Sequence, residues 1–144
     1  MIEQDTIRLL RECDAGVKMG LASLDDMMNH VHDPKLRRCL DGCRDKHEAL
    51  DGEIQNQLNQ YHDGGKEPNP MAKGMSWMKT NVKLGMDNSD QTIADLITDG
   101  CNMGVKSLRK YLNQYEAADE RSKNTAKELI DLEEKLVRDM RDFL

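Results

Sequence analysis

Apolar residues recur in steps of three and four along most of this chain. The series Ile2, Thr6, Leu9, Cys13, Gly16, Gly20, Leu24, Met27 and Val31 holds one face for about eight turns and predicts a helix over 2–31. His32-Asp33-Pro34 interrupts it, with Asp33 placed to cap a new helix and Pro34 in its first turn. The next series, Leu36, Leu40, Cys43, His47, Leu50, Ile54, Leu58 and Tyr61, predicts a helix over 34–61. A break this short requires the two to fold back on each other as an antiparallel hairpin.

HDGGKEPNP (62–70) is dense in Gly, Pro and Asn and reads as a loop. Asn69-Pro70 then opens a shorter helix over 70–85. From the NSD at 88–90 a third long stripe begins: Ile93, Ile97, Gly100, Gly104, Leu108, Tyr111 and Tyr115, predicting a helix over 89–116. After a weak break near 117–121 the fourth runs through Thr125, Leu129, Leu132, Leu136, Met140 and Phe143, predicting 121–143. Two helical hairpins joined by a long connection make an antiparallel four-helix bundle in one domain, 1–144. The helix in the crossover, at about 24 Å, is long enough to travel most of the bundle's length.

The halves also echo each other. CDAGVKMGLASL (13–24) and CNMGVKSLRKYL (101–112) share C-x-x-G-V-K in the first helix of each hairpin, where a duplicated hairpin would place it.

The segments DAGVKMGLASL (14–24), DPKLRRCLDGCRDKHEALDGEI (33–54), MAKGMSWMKTNVKLG (71–85) and ITDGCNMGVKSLRKYL (97–112) carry a wider likeness. Across nearly its whole length the chain resembles the ferritin-like superfamily, and within it the small bacterial ferritin-like four-helix-bundle proteins of unknown function. The resemblance implies an all-α bundle. Its di-iron members place a Glu on each of two helices and a Glu-x-x-His on each of the other two, all pointing inward. This chain departs from that pattern. The residue three before His47 is Arg44, and all four histidines (His30, His32, His47, His62) precede residue 63. Glu12 and Asp14 lie about 100° from the centre of their stripe and Asp99 lies opposite its own. The centre of the fourth stripe holds only apolar or small residues. A standard di-iron site is therefore not expected.

Other chemistry centres on CLDGCRDKHEAL (39–50), where Cys39, Cys43 and His47 recur every four residues. Thiolate and imidazole suit Zn(II) or Cu(I), so Cys43 and His47 with Cys13, Cys39 and Cys101 form a candidate metal set. Against it, free cysteines pack as small hydrophobes, and the hairpin geometry does not bring the four thiols to one point. A buried His47 needs a partner, for which Thr125 or a water could serve. Gly16, Gly20, Gly100 and Gly104 fall on the core faces of the first and third helices, where they allow close backbone approach or leave room for a ligand.

The crossover helix carries Met71, Met75, Met78, Val82 and Met86 on one face. Such a stripe packs on the bundle or binds a partner, with Trp77 as an anchor. Residues 66–83 hold a local charge of +3 in a chain whose net charge is −6. Self-association or an unidentified protein partner through this helix is the partner expectation.

Composition narrows the function classes. A net charge of −6 disfavours nucleic-acid binding. No apolar run approaches a membrane span, and MIEQDTIRLLRECD lacks signal-peptide regions. Four cysteines without an export signal suit free thiols in the cytoplasm. No nucleophile–base pair, phosphate-cradling loop or nucleotide fingerprint occurs. The expectation is a non-catalytic binding or interaction module. A soft-metal (Zn or Cu) binding or sequestration protein is the alternative, and a thiol-based redox-responsive protein the third option.

Overall fold

The computed structural model describes residues 2–66 and 89–144. The segment expected to form the crossover helix, with Met71, Met75, Trp77 and Met78, lies outside the described residues. Four helices carry the rest: α1 (Ile2–Met28), α2 (Pro34–Asn59), α3 (Asp90–Gln114) and α4 (Glu120–Met140), with a 3-10 turn at Arg141–Phe143. No strand occurs among the described residues, and no helix among them is long and apolar enough to cross a membrane.

The helix starts follow from their caps. Asp33 accepts from Lys35 N at 2.8 Å with Pro34 in the first turn. Ser89 accepts from Thr92 N at 3.2 Å, and Asp119 from Ser122 N at 2.8 Å. Each side chain satisfies a donor the helix itself leaves orphaned. α1 and α2 end about a turn before their apolar stripes do. Three-residue hydrogen bonds, His30 N to Met27 O and Tyr61 N to Leu58 O, tighten the two ends, while Val31 still packs into the core from the connecting turn.

Cross-helix contacts give the layout. Asp25 meets Arg44, Gly20 approaches His47, and Asp14 meets Gln55, so numbers fall on α2 as they rise on α1. The same holds for α2 and α4, through Gln57–Thr125, His47–Glu133 and Cys39–Asp139. Asp90 accepts from His32 N and Asp33 N, which puts the start of α3 beside the α1–α2 turn. Asp5 and Thr6 accept from Ala117 N and Asp119 N, which puts the α3–α4 turn beside the start of α1.

The core is split in two. Leu24, Met27, Leu36, Leu40, Ile93, Ile97, Leu136 and Met140 form a cluster toward the α1–α2 turn. Leu9, Leu10, Val17, Ile54, Leu58, Leu108, Ala126 and Leu129 form the other. Burying each such side chain stabilises by about 2 kcal/mol. Between the clusters lie Gly20, His47, Gly104 and Glu133. On α3 the core line passes through Ile97, Cys101 and Leu108, which turns Gly100 outward, in contrast to the core position its spacing suggests.

A second correction concerns Asp14. Its angle on α1 suggested a solvent-facing carboxylate, yet it is fully buried. The chain after α2 folds over it, and Asp14 accepts from Gln55 Nε2 (2.6 Å) and Lys66 N (2.9 Å) while pairing with Lys18 Nζ (3.0 Å). Beside it Arg11 holds Asp63, and Lys66 Nζ reaches Glu12. Gly65 closes this clasp at φ +83°, a left-handed conformation, with its α-carbon against the Asp14 carboxylate. A β-carbon there would collide with that carboxylate, and the backbone angle alone disfavours one. Gly65→Ala should destabilise by about 2 kcal/mol or more, whereas Gly64→Ala, with open space around it, should be near neutral. Urea denaturation of both variants checks this; equal effects would count against the clasp.

Candidate functional site

The layer between the two apolar clusters is a polar break in the described core that holds its buried histidine. On α2, His47 continues the alternating line Leu36, Leu40, Cys43, His47, Leu50, Ile54 and is 2% exposed. On α4, Glu133 stands in the line Ser122, Ala126, Leu129, Glu133, Leu136, Met140, in steps of four and three. The inward carboxylate was missed because Leu132, one residue earlier, fits a looser stripe; Leu132 is only half-buried. α1 and α3 contribute glycines. A β-carbon on Gly20 would stand 3.4 Å from His47 Cδ2, and one on Gly104 3.5 Å from Glu133 Oε2. Alanine fits at contact distance in both places, and any longer side chain would push the pair aside.

His47 is bracketed by acceptors. Nδ1 lies 2.8 Å from the Cys43 carbonyl oxygen and 3.4 Å from Cys43 Sγ, so it carries a proton shared between them. Nε2 faces Glu133 Oε1 at 3.6 Å. An imidazole with both nitrogens on acceptors is held as imidazolium. Burial opposes that charge, but the contacts with Cys43 and Glu133 outweigh it and push the His47 pKa up to about 10. Cys101 approaches Glu133 from α3. Burial first, then the Glu133 charge, push the Cys101 thiol far up, keeping it protonated. No buried polar side-chain atom among the described residues lacks a partner.

The structure brings together some of the candidate residues and separates others. Cys43, His47 and Cys101 share this layer or its edge. Cys39 lies a turn away, its thiol 3.7 Å from Asp139 Oδ2. Cys13 is buried in the other apolar cluster, where burial raises its pKa to about 12. Cys43 and Glu133 flank the ring at different nitrogens, so they do not converge on one point with it. Among the described residues no group of three or more His, Cys, Asp or Glu is arranged to hold a metal ion. Thr125 does not serve His47; it accepts from Gln57 Nε2 at 2.7 Å. Comparison with protein-family models, curated proteins and solved structures finds no match.

Two outcomes follow from the ion pair. Removing one partner leaves an uncompensated buried charge, so Glu133→Leu should cost about 3 kcal/mol in urea denaturation at pH 7. His47→Leu/Glu133→Leu should recover most of that loss, because two well-packed leucines carry no desolvation cost. The pair also sets a pH dependence. Between the unfolded pKa near 6.5 and the folded value near 10 the native state holds more protons than the unfolded state. His47's contribution is therefore complete below about pH 6.5 and fades as pH rises through 10. The double variant should lack this part of the slope in denaturation midpoints from pH 6 to 10; an unchanged slope would assign it elsewhere.

Proposed function

We propose that this chain is a ferritin-like, antiparallel four-helix bundle that acts in the cytoplasm as a non-catalytic binding or interaction module. Its connectivity supports the fold reading. α3 starts where α1 ends, and the chain has left α2 at the opposite end, beside Asp14. The two hairpins are joined through residues 67–88, and bundles with a single long connection between two hairpins are ferritin-like in topology. Net charge and the absence of an apolar span point to a protein partner rather than nucleic acid or a membrane.

The observation that carries the functional reading is the self-satisfied polar layer. A di-iron centre needs inward donors from all four helices. At the level of His47, α1 and α3 offer Gly20 and Gly104, and the donors from α2 and α4 already face each other. These residues do not fit a di-iron centre.

One feature favours the soft-metal alternative: Cys43 Sγ stands 3.4 Å from His47 Nδ1, a separation that a single Zn or Cu(I) could span. That nitrogen would first have to give up the Cys43 carbonyl. At Cys13, Cys39 and Cys101 thiol sensing draws no support, because burial raises their pKa values, the reverse of an activated thiolate.

Metal content by mass spectrometry tests the choice, on untagged protein purified anaerobically with reductant and no chelator. The interaction reading expects well under one equivalent of Zn, Cu or Fe and a melting temperature indifferent to chelators. Near one equivalent of Zn or Cu, lost in His47→Ala and Cys43→Ala, would replace it with the soft-metal reading.

A further inference from the structure

The side of the bundle between α2 and α4 carries a shallow groove of ≈ 510 Å³. Leu50, Ala49 and Leu132 form its apolar middle. Its charges are sorted by position. Because His47 is level with Glu133, Lys46 and Arg138 stand on one side of that level, and Asp131 and Glu128 on the other. The two charge centres are about 10 Å apart along the axis. Other rim charges are neutralised within the chain, Glu53 by Arg121 at 2.9 Å and Lys135 by Asp139 at 2.7 Å. Lys46, Arg138, Asp131 and Glu128 have no ion-pair partner among the described residues.

Gly42, one turn before Lys46 on the same face of α2, is a glycine that the monomer does not use: a β-carbon there would meet nothing within 4 Å. A glycine inside a helix weakens it relative to alanine, and here no internal contact requires it. Close approach of another backbone from outside would.

We infer that the α2–α4 groove is a homodimer interface, in which a second copy packs across it by a two-fold axis. This rests on the reading of the chain as an interaction module and names its partner. A two-fold perpendicular to the helices sets the acidic end of one groove on the basic end of the other, and does so twice. A partner of uniform charge would be repelled at one end. The described residues flanking the segment between α2 and α3 lie away from this side: Lys66 against Glu12, near Tyr111 and Tyr115, and Ser89 as the cap of α3. Two helices about 10 Å apart and about 30 Å long present roughly 600 Å² in projection, comparable with the ~800 Å² per partner of stable complexes.

Sedimentation velocity of the full chain at about 100 μM and low salt tests this against a monomer mass of 16.5 kDa. Wild type should sediment as a dimer that dissociates as salt rises. Lys46→Glu/Arg138→Glu makes both ends acidic, and Glu128→Lys/Asp131→Lys makes both basic. Each variant alone should dimerise about tenfold or more weakly, while an equimolar mixture of the two should recover the dimer. Circular dichroism melts establish that both variants fold. A monomeric wild type, or two charge variants that dimerise as well as wild type, would overturn the proposal. A dimer lost in Trp77→Ala and kept in both charge variants would also overturn it, moving the contact to the crossover while leaving the interaction reading standing. Loss of that reading itself would come instead from stoichiometric metal in the chelator-free preparation.

Discussion

An imidazolium and a carboxylate 3.6 Å apart in the middle of a helical core constrain everything stacked above and below them. The apolar clusters on either side attract without direction, and leucine packs nearly as well one turn along. The ion pair does not tolerate such a slip. Shifting α4 by one turn would set His47 against Leu129 or Leu136 and leave two buried charges without partners. Desolvation absorbs most of the pair's Coulombic gain, so its larger effect is on register rather than on stability. Gly20 and Gly104 belong to the same constraint, since they leave the ring and the carboxylate the width they need.

A second polar device fixes the connectivity. Asp14 gathers a side-chain amide from α2, a backbone N–H from the loop and the Lys18 ammonium from its own helix. Three donors on one buried carboxylate hold the chain after α2 against α1, at a defined height. The crossover therefore begins from a tethered point at Lys66 and rejoins at a capped one at Ser89. Asp90 ties that second point to the α1–α2 turn. The bundle is thus set at its centre by one ion pair and at its ends by capping and clasping carboxylates.

The four described helices and their starts were legible because they depend on neighbours in sequence. Asp33-Pro34, Ser89 and Asp119 cap where local chemistry says they should. His47 was legible as a buried imidazole in need of a partner. Its partner was not, because a stripe of period 3.6 cannot choose between Leu132 and Glu133 without the phase of the opposing helix. Only the pairing with α2 selects the line through Leu129, Glu133 and Leu136. Asp14 was illegible for a different reason: its burial comes from Gln55 and from a loop 52 residues away. Gly100 was assigned to the core face by the same small error of phase, where Cys101 stands instead.

The repeated word C-x-x-G-V-K shows how one local pattern serves two places without making a common site. In both copies the glycine faces α4, Gly16 toward Leu129 and Gly104 toward Glu133, one turn apart. Both cysteines are buried. Yet α3 starts beside the end of α1, so equivalent words lie on helices that run in opposite senses. The cysteine three residues before the glycine then falls on opposite sides in the two copies, Cys13 deep in one apolar cluster and Cys101 in the other, at the edge of the polar layer. A repeat that aligns thiols in sequence thereby separates them in space. Of the two, Cys101 alone stays close enough to Glu133 for that carboxylate's charge to help keep its thiol protonated.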